Sequence, residues 1–224
     1  MVGGFITFEG GEGAGKSTQI DRLRRRLEQL SQPVLVTREP GGSPYAEQIR
    51  SFILEGHAKS LGPFAEALLF AAARIDHLDK TIEPALSRGT HVLCDRFADS
   101  TRAYQGSLGN VDKSLIDSLE RIALKGRVPD LTFVLDLPAE IGLFRAKERR
   151  ANKGEDVDRF EEEDLSFHQS LRRAFLSIAQ ADPNRCVVVN ADQSPDEVEE
   201  AIWQVLRERL PRLTRSITRP LDVA

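Results

Sequence analysis

A chain of 224 residues with 40% hydrophobic and 29% charged side chains is long enough for one large domain with its own core, or at most two small ones, and one is expected. The net charge of −4 gives no overall basic field and so implies no nucleic-acid partner; no apolar stretch long enough to span a membrane and no N-terminal export segment occurs, so a cytoplasmic protein is expected. Cys94 and Cys186 each lie in or beside an apolar strand-like run, with no C-x-x-C pair, and read as buried thiols of a reducing compartment.

The first apolar run, 5–8, leads directly into Gly10-Gly11-Glu12-Gly13-Ala14-Gly15-Lys16-Ser17 and Thr18. The spacing G-x-x-x-x-G-K-S describes a phosphate-binding loop, in which glycines let main-chain N–H groups turn inward around a polyphosphate. In such a loop Lys16 reaches the β- and γ-phosphates and the Ser17 hydroxyl is a magnesium ligand. Ile20, Leu23, Leu27 and Leu30 then recur at helical spacing, so a helix starts near Gly15 and turns its positive end toward the anion. A glycine-rich hairpin is the bland alternative, and the order strand, loop, helix argues against it.

Further along, runs at 34–37, 92–94, 132–137 and 186–189 are short, continuous and rich in β-branched residues, as strands covered on both faces should be. Between them lie helical patterns at Leu115, Ile116, Leu119 and Ile122, at Leu171, Phe175 and Ile178, and at Val198, Ile202, Val205 and Leu206. Five parallel strands with helices on both faces are expected, an α/β phosphate-binding-loop fold in which Gly10, Arg38, Asp95 and Asp136 all fall at carboxyl ends of strands, where ligands gather. A helix beginning near Pro138, capped by Asp136, loses its apolar face over 145–159, where Arg145, Lys147, Arg149, Arg150, Lys153 and Arg159 alternate with acids. Beside a phosphate loop this reads as a short arginine-bearing lid, because phosphoryl transfer needs positive charge on the moving group and exclusion of water. The tail, 211–224, reads as a loosely held terminus with no assigned role.

Residues just past the strands narrow the chemistry. A GTPase switch would carry an Asp-x-x-Gly turn, which is absent. A motor ATPase would end a strand in Asp-Glu; here the strand ends in Asp95-Arg96, which suits an anionic second substrate better than a hydrolytic water. Arg38-Glu39-Pro40-Gly41-Gly42 can hold Arg38 and Glu39 rigidly over the cleft. Phe70 and Arg74, four apart on a helical stretch, share one face and can stack on a base and donate hydrogen bonds to its carbonyl edge.

Taken together, Arg38 to Gly42, Phe70 with Arg74, Asp95-Arg96-Phe97, Ser100-Thr101 and Ala103-Tyr104-Gln105-Gly106 resemble the thymidylate kinase family of bacterial type, over about 5–189. The resemblance implies a single nucleoside monophosphate kinase-like domain, usually a homodimer, that moves the γ-phosphate of ATP to dTMP with Mg2+, giving dTDP for dTTP synthesis. It implies that Phe70 stacks on thymine, that Arg74, Thr101 and Gln105 read its polar edge, and that Tyr104 lies against the sugar. Arg96 and Arg50 would grip the acceptor phosphate, Asp95 would hold magnesium directly or through water with Ser17, and Glu39 and Glu12 would face the substrate. Some family members carry an arginine within the phosphate loop and this chain does not, so the lid must supply that charge, Arg149 first and Arg150 next. Phe97 stands where tyrosine or histidine is more frequent. A kinase of another nucleoside monophosphate and a slowly turning nucleotide-binding regulator are the readings left beside this one.

Overall fold

A computed structural model describes residues 2–153 and 160–216; the distal part of the expected lid, 154–159, and the tail from 217 onward lie outside the described residues. Strands β1 (Phe5–Glu9), β2 (Val34–Arg38), β3 (His91–Asp95), β4 (Leu131–Asp136) and β5 (Cys186–Asn190) form one parallel sheet in the order β2-β3-β1-β4-β5. All five expected strands are present, each within one residue of its apolar run at either end.

Side-chain alternation assigns the two faces. Ile6 and Phe8 of β1, Leu93 of β3 and Phe133 and Leu135 of β4 pack under α1 (Lys16–Gln29) and α9 (Pro195–Arg209), which contribute Ile20, Leu23, Leu27, Val198, Ile202 and Leu206. On the opposite face Phe5, Val92 and Cys94 meet Leu78, Ile82 and Leu86, from a π-helical turn (Leu78–Ile82) and α4 (Glu83–Ser87). Farther along that face Val134 and Cys186 meet Leu171, Ala174 and Phe175 of α8 (Leu165–Ala181). Each large apolar side chain so enclosed contributes about 1.5–3 kcal/mol, and their spacing holds the strand ends rigidly in line. Both cysteines are buried and free; burial first, then nearby carboxylates, pushes the Cys186 thiol up to about 12 and that of Cys94 well above its ordinary value.

The remaining helices crowd the carboxyl edge of the sheet. Pro44 opens α2 (Pro44–Leu54), where a missing N–H costs nothing, and α3 (Gly62–His77) packs along it. After β3 come α5 (Ala98–Thr101), a π-helical turn (Arg102–Leu108) and α6 (Lys113–Leu124), and after β4 comes α7 (Ala139–Lys153).

One expected contact is replaced by another. Asp136 does not cap α7: both its carboxylate oxygens accept from the Arg172 guanidinium, at 2.6 and 2.8 Å, while the Pro138 carbonyl accepts the N–H groups of Ile141 and Gly142. A fork of two charge-assisted bonds outcompetes a single cap bond, so Asp136 ties β4 to α8 instead of facing the cleft. The tail is anchored as far as it is described, with Leu213 buried in the core and the Arg215 carbonyl accepting from Gln32 Nε2 at 2.7 Å.

Candidate active site

The loop from Gly10 to Ser17 joins β1 to α1 through left-handed glycines, Gly13 at φ 65° and Gly15 at φ 88°. Gly15 stands at the N-cap of α1 with no side-chain cap, so the first-turn amides of the helix point into the loop as donors for an anion. Gly13 is required for a second reason: a Cβ there would lie 2.0 Å from the Gly142 carbonyl oxygen of α7, and one on Gly142 would lie 2.3 Å from that of Glu12. The two glycines let the base of the lid helix rest against the phosphate loop. Lys16 Nζ donates to the Gly10 and Gly11 carbonyls at 3.2 and 3.0 Å, curled over the loop, and burial lowers its pKa.

The next strand end supplies the charge beside it. Ser17 Oγ donates to Asp95 Oδ2 at 2.8 Å, bringing a hydroxyl and a carboxylate oxygen together at the mouth of the loop. Arg96 takes the left-handed conformation, φ 69°, and its guanidinium donates to Glu12 Oε1 at 2.6 Å, to the Gly10 carbonyl at 3.1 Å and to Ser100 Oγ at 3.3 Å. Burial alone would raise the Glu12 carboxyl, but Arg96, Lys16, Arg149 and His168 outweigh it and hold the group down at about 2. Beneath this turn Glu9 accepts from the Phe97 N–H at 2.8 Å and from Ser100 Oγ at 2.6 Å. Burial, with Asp99 second, pushes the Glu9 carboxyl up to about 7.

Across the cleft, α3 presents a half-buried Phe70 and a buried Arg74 together. Arg74 Nε donates to Glu39 at 2.7 Å and its Nη2 to Thr101 Oγ1 at 3.2 Å, while Gln105 Nε2 donates to Glu66 at 3.3 Å. Arg50 is turned in by a bond to the Pro40 carbonyl at 2.8 Å. Tyr104 reaches toward Glu12 at 3.4 Å, with the Arg96 guanidinium 5.4 Å from its ring centre and the Phe160 ring edge-on at 5.1 Å. Arg145 of α7 donates to the Ala191 carbonyl at 3.3 Å, and Arg149 and Arg150 both pair with Glu161.

These walls enclose a cleft of about 870 Å³, within the usual range for a small-molecule site. Of the residues singled out from sequence, Glu12 to Thr18, Glu39, Arg50, Phe70, Arg74, Asp95, Arg96, Thr101, Tyr104, Gln105 and Arg149 all line it. Gly10 and Gly11 contribute carbonyls to Lys16 behind it, and Arg150 stands outside its lining, whereas Arg145 and Arg149 both line it and the charge of Arg149 acts on Glu12 of the loop. Sequence reasoning missed Phe160 and Glu161, just past the lid, and Ala191, Gln193 and Pro195 after β5. The last three could have been found from the rule that ligands collect at strand ends, applied to the fifth run. Among the described residues no three His, Cys, Asp or Glu side chains converge as a metal cage. Magnesium is ordinarily held by one or two carboxylates together with phosphates and water, and Ser17 with Asp95 offers such a set of hard oxygens.

A parallel sheet with a phosphate loop after its central strand, and one cleft that joins that loop to the Phe70 and Arg74 end with Arg96 in its wall, defines a phosphotransferase of the phosphate-binding-loop class. The family model described as thymidylate kinase matches residues 8–202. The chain is 58% identical to a thymidylate kinase of Bradyrhizobium diazoefficiens over 93% of this chain and 90% of that one. It is 57% identical to one of Rhodopseudomonas palustris (94% and 91% covered) and 55% identical to one of Nitrobacter hamburgensis (94% and 90% covered). The chain belongs to the thymidylate kinase family.

Proposed function

We propose that this enzyme phosphorylates dTMP to dTDP with ATP as donor and magnesium as the assisting ion, by direct in-line transfer. The observation that carries this is the division of one cleft into two ends: a loop built for a polyphosphate and a ring-plus-guanidinium pair suited to a pyrimidine, with Arg96 between them. Phe70 offers its face to the base, and Arg74, Thr101 and Gln105 offer donors and acceptors along its edge. Tyr104, Arg50 and Arg96 line the same cleft, where Tyr104 would lie against the sugar and the two arginines would grip the acceptor phosphate. A phosphate on Arg96 would compete with Glu12 for the guanidinium, so acceptor binding and the position of Glu12 are linked.

Lys16, Arg96 and Arg149 would neutralise charge on the transferred group, which is where most of the rate of this chemistry comes from. Magnesium, held through Ser17 and Asp95, would supply Lewis-acid neutralisation of the donor phosphates. No strong general base is needed, because a phosphate monoester is already a nucleophile at neutral pH. The test is a coupled assay with ATP and dTMP, dUMP, AMP or GMP offered separately. Turnover highest with dTMP is expected, and preference for a purine monophosphate would overturn the assignment of Phe70 and Arg74.

A second copy of the chain is the partner we propose. Phe64 and Leu68, four apart on α3, and Leu115 and Ile122, seven apart on α6, are exposed on two helices that pack together, an apolar surface of the kind a dimer covers. Sedimentation should give a dimer that Leu68→Glu with Ile122→Glu dissociates. Two free buried cysteines suit a reducing cytoplasm, and among the described residues no helix is long and apolar enough to cross a membrane.

A further inference from the structure

Behind the base-reading end of the cleft lies a buried hydrogen-bond chain that sequence reasoning did not anticipate. His77, fully buried at the end of α3, places Nε2 2.7 Å from Thr37 Oγ1 and Nδ1 3.0 Å from Glu39 Oε1. The other Glu39 oxygen takes the Arg74 Nε–H at 2.7 Å, and Arg74 goes on to Thr101 at 3.2 Å. Thr37, Glu39, Arg74 and Thr101 are all buried as well. Elements far apart in sequence are thus joined, the end of β2 to α3 through the imidazole and α3 to α5 through the Arg74 guanidinium.

The direction of these bonds is set by the partners. A carboxylate paired with Arg74 only accepts, so His77 donates from Nδ1; in the neutral ring Nε2 then accepts the Thr37 hydroxyl proton. Room for the ring is made by Gly42: at φ 79° it has no side chain, and a Cβ there would fall 2.4 Å from both His77 Nε2 and Thr37 Oγ1. With His77 and Arg74 each holding one oxygen, Glu39 has a single orientation, and so has the guanidinium it grips. Arg74 has five N–H groups, of which these two bonds use two, which leaves donors for the cleft.

We propose that His77 is a positioning residue for pyrimidine recognition, acting through Glu39 to aim the Arg74 guanidinium at the base while touching no substrate itself. The inference rests on the assignment of Arg74 to the base, and the experiment separates the two. Steady-state kinetics of the full-length protein would compare wild type with His77→Leu, His77→Asn, Arg74→Ala and Arg74→Ala/His77→Leu.

His77→Leu should raise the dTMP KM about tenfold, as expected for one lost bond to a buried charge, with the ATP KM and saturating kcat within about twofold of wild type. His77→Asn, whose amide nitrogen overlays Nδ1 and still donates to Glu39, should recover most of the loss. In the Arg74→Ala background His77→Leu should add nothing further to the dTMP KM. A wild-type dTMP KM in His77→Leu, equal damage in His77→Asn, or an undiminished effect without Arg74 would each overturn the proposal. Should Arg74→Ala itself leave the dTMP KM unchanged, the assignment of Arg74 fails and the proposal falls with it. If His77→Leu does not fold, Thr37→Val carries the test from the far end of the chain; a smaller rise in dTMP KM is expected, and no rise would overturn it.

Discussion

Gly142→Ala sets two known effects against each other. Alanine in a helix interior is favoured over glycine by about 1 kcal/mol, so propensity alone makes α7 more stable. Yet the added Cβ would fall 2.3 Å from the Glu12 carbonyl oxygen, short of ordinary contact by about 1 Å, and that oxygen belongs to the main chain of the phosphate loop. Neither side yields by rotating a side chain, so α7 must move away by about that distance. Overpacking of this kind costs about 1–3 kcal/mol, which equals or exceeds the propensity gain. The kinetic effect should be larger than the thermal one, because α7 carries Arg145 and Arg149 and a misplacement of about 1 Å can cost on the order of 100-fold in rate. Turnover of dTMP at saturating substrates and a thermal melt, measured on the same preparation, check this: kcat falls by one to two orders of magnitude, roughly, while the melting temperature changes by only a few degrees. Wild-type turnover with a raised melting temperature would show that the contact between lid helix and loop has no bearing on the arginines.

Three other outcomes are expected from the same geometry. If Arg149, which lines the cleft, acts on the transferred group as proposed, Arg149→Ala should lower kcat on the order of 10³-fold with a small change in dTMP KM; equal losses in both constants would move Arg149 to ground-state binding. Phe70→Ala should raise the dTMP KM by about 10- to 100-fold through lost stacking, with less effect on ATP, and unchanged dTMP kinetics would make Phe70 a packing residue. The Glu9 carboxyl, raised to about 7 by burial first and Asp99 next, binds its proton more tightly folded than unfolded. Its contribution to stability is therefore complete below the ordinary carboxylate range and is lost as pH rises through about 7. Melting temperatures measured from about pH 5 to 8 should then fall more for wild type than for Glu9→Gln, which stays neutral, whereas parallel curves would contradict the raised pKa.

What the sequence made legible is what depends on local pattern. The strands are enclosed on both faces, so they read as unbroken apolar runs, and the loop after β1 has a spacing that only a phosphate cradle requires. Phe70 and Arg74 were legible because four residues on a helix share a face. Beyond the cleft-lining residues after the lid and after β5, what stayed hidden are polar groups paired across long sequence distances. Asp136 reads as a cap because nothing nearby announces Arg172, and no local pattern marks His77, whose partners Thr37 and Glu39 are brought to it by the sheet. Glu9 is hidden similarly, because only the parallel pairing of β1 with β3 puts Phe97 and Ser100 above it.

The same long-range pairs explain how so short an element as α5 keeps its place in the cleft wall. Four residues are far below the length at which a helix is stable by itself, so its position must come from tertiary contacts. Ser100 is tied to Glu9, and Asp99 accepts from Arg185 at 2.6 and 3.0 Å, with Arg185 also donating to Thr132 of β4 at 2.8 Å. Buried charges of this kind add little net stability compared with apolar packing, while removal of one partner costs about 3–5 kcal/mol. Their effect is geometric: they lock the segment that bears Thr101, Tyr104 and Gln105 to the strand ends. They also hold the neighbouring Arg96 in a left-handed conformation that by itself costs about 1–3 kcal/mol. Asp99→Asn should accordingly disturb dTMP kinetics although Asp99 does not line the cleft, because the Arg185 guanidinium would keep Asp182 but lose the charged partner that ties α5 to β4 and β5. Wild-type dTMP kinetics in a destabilised Asp99→Asn would mean that α5 is held by its apolar contacts alone.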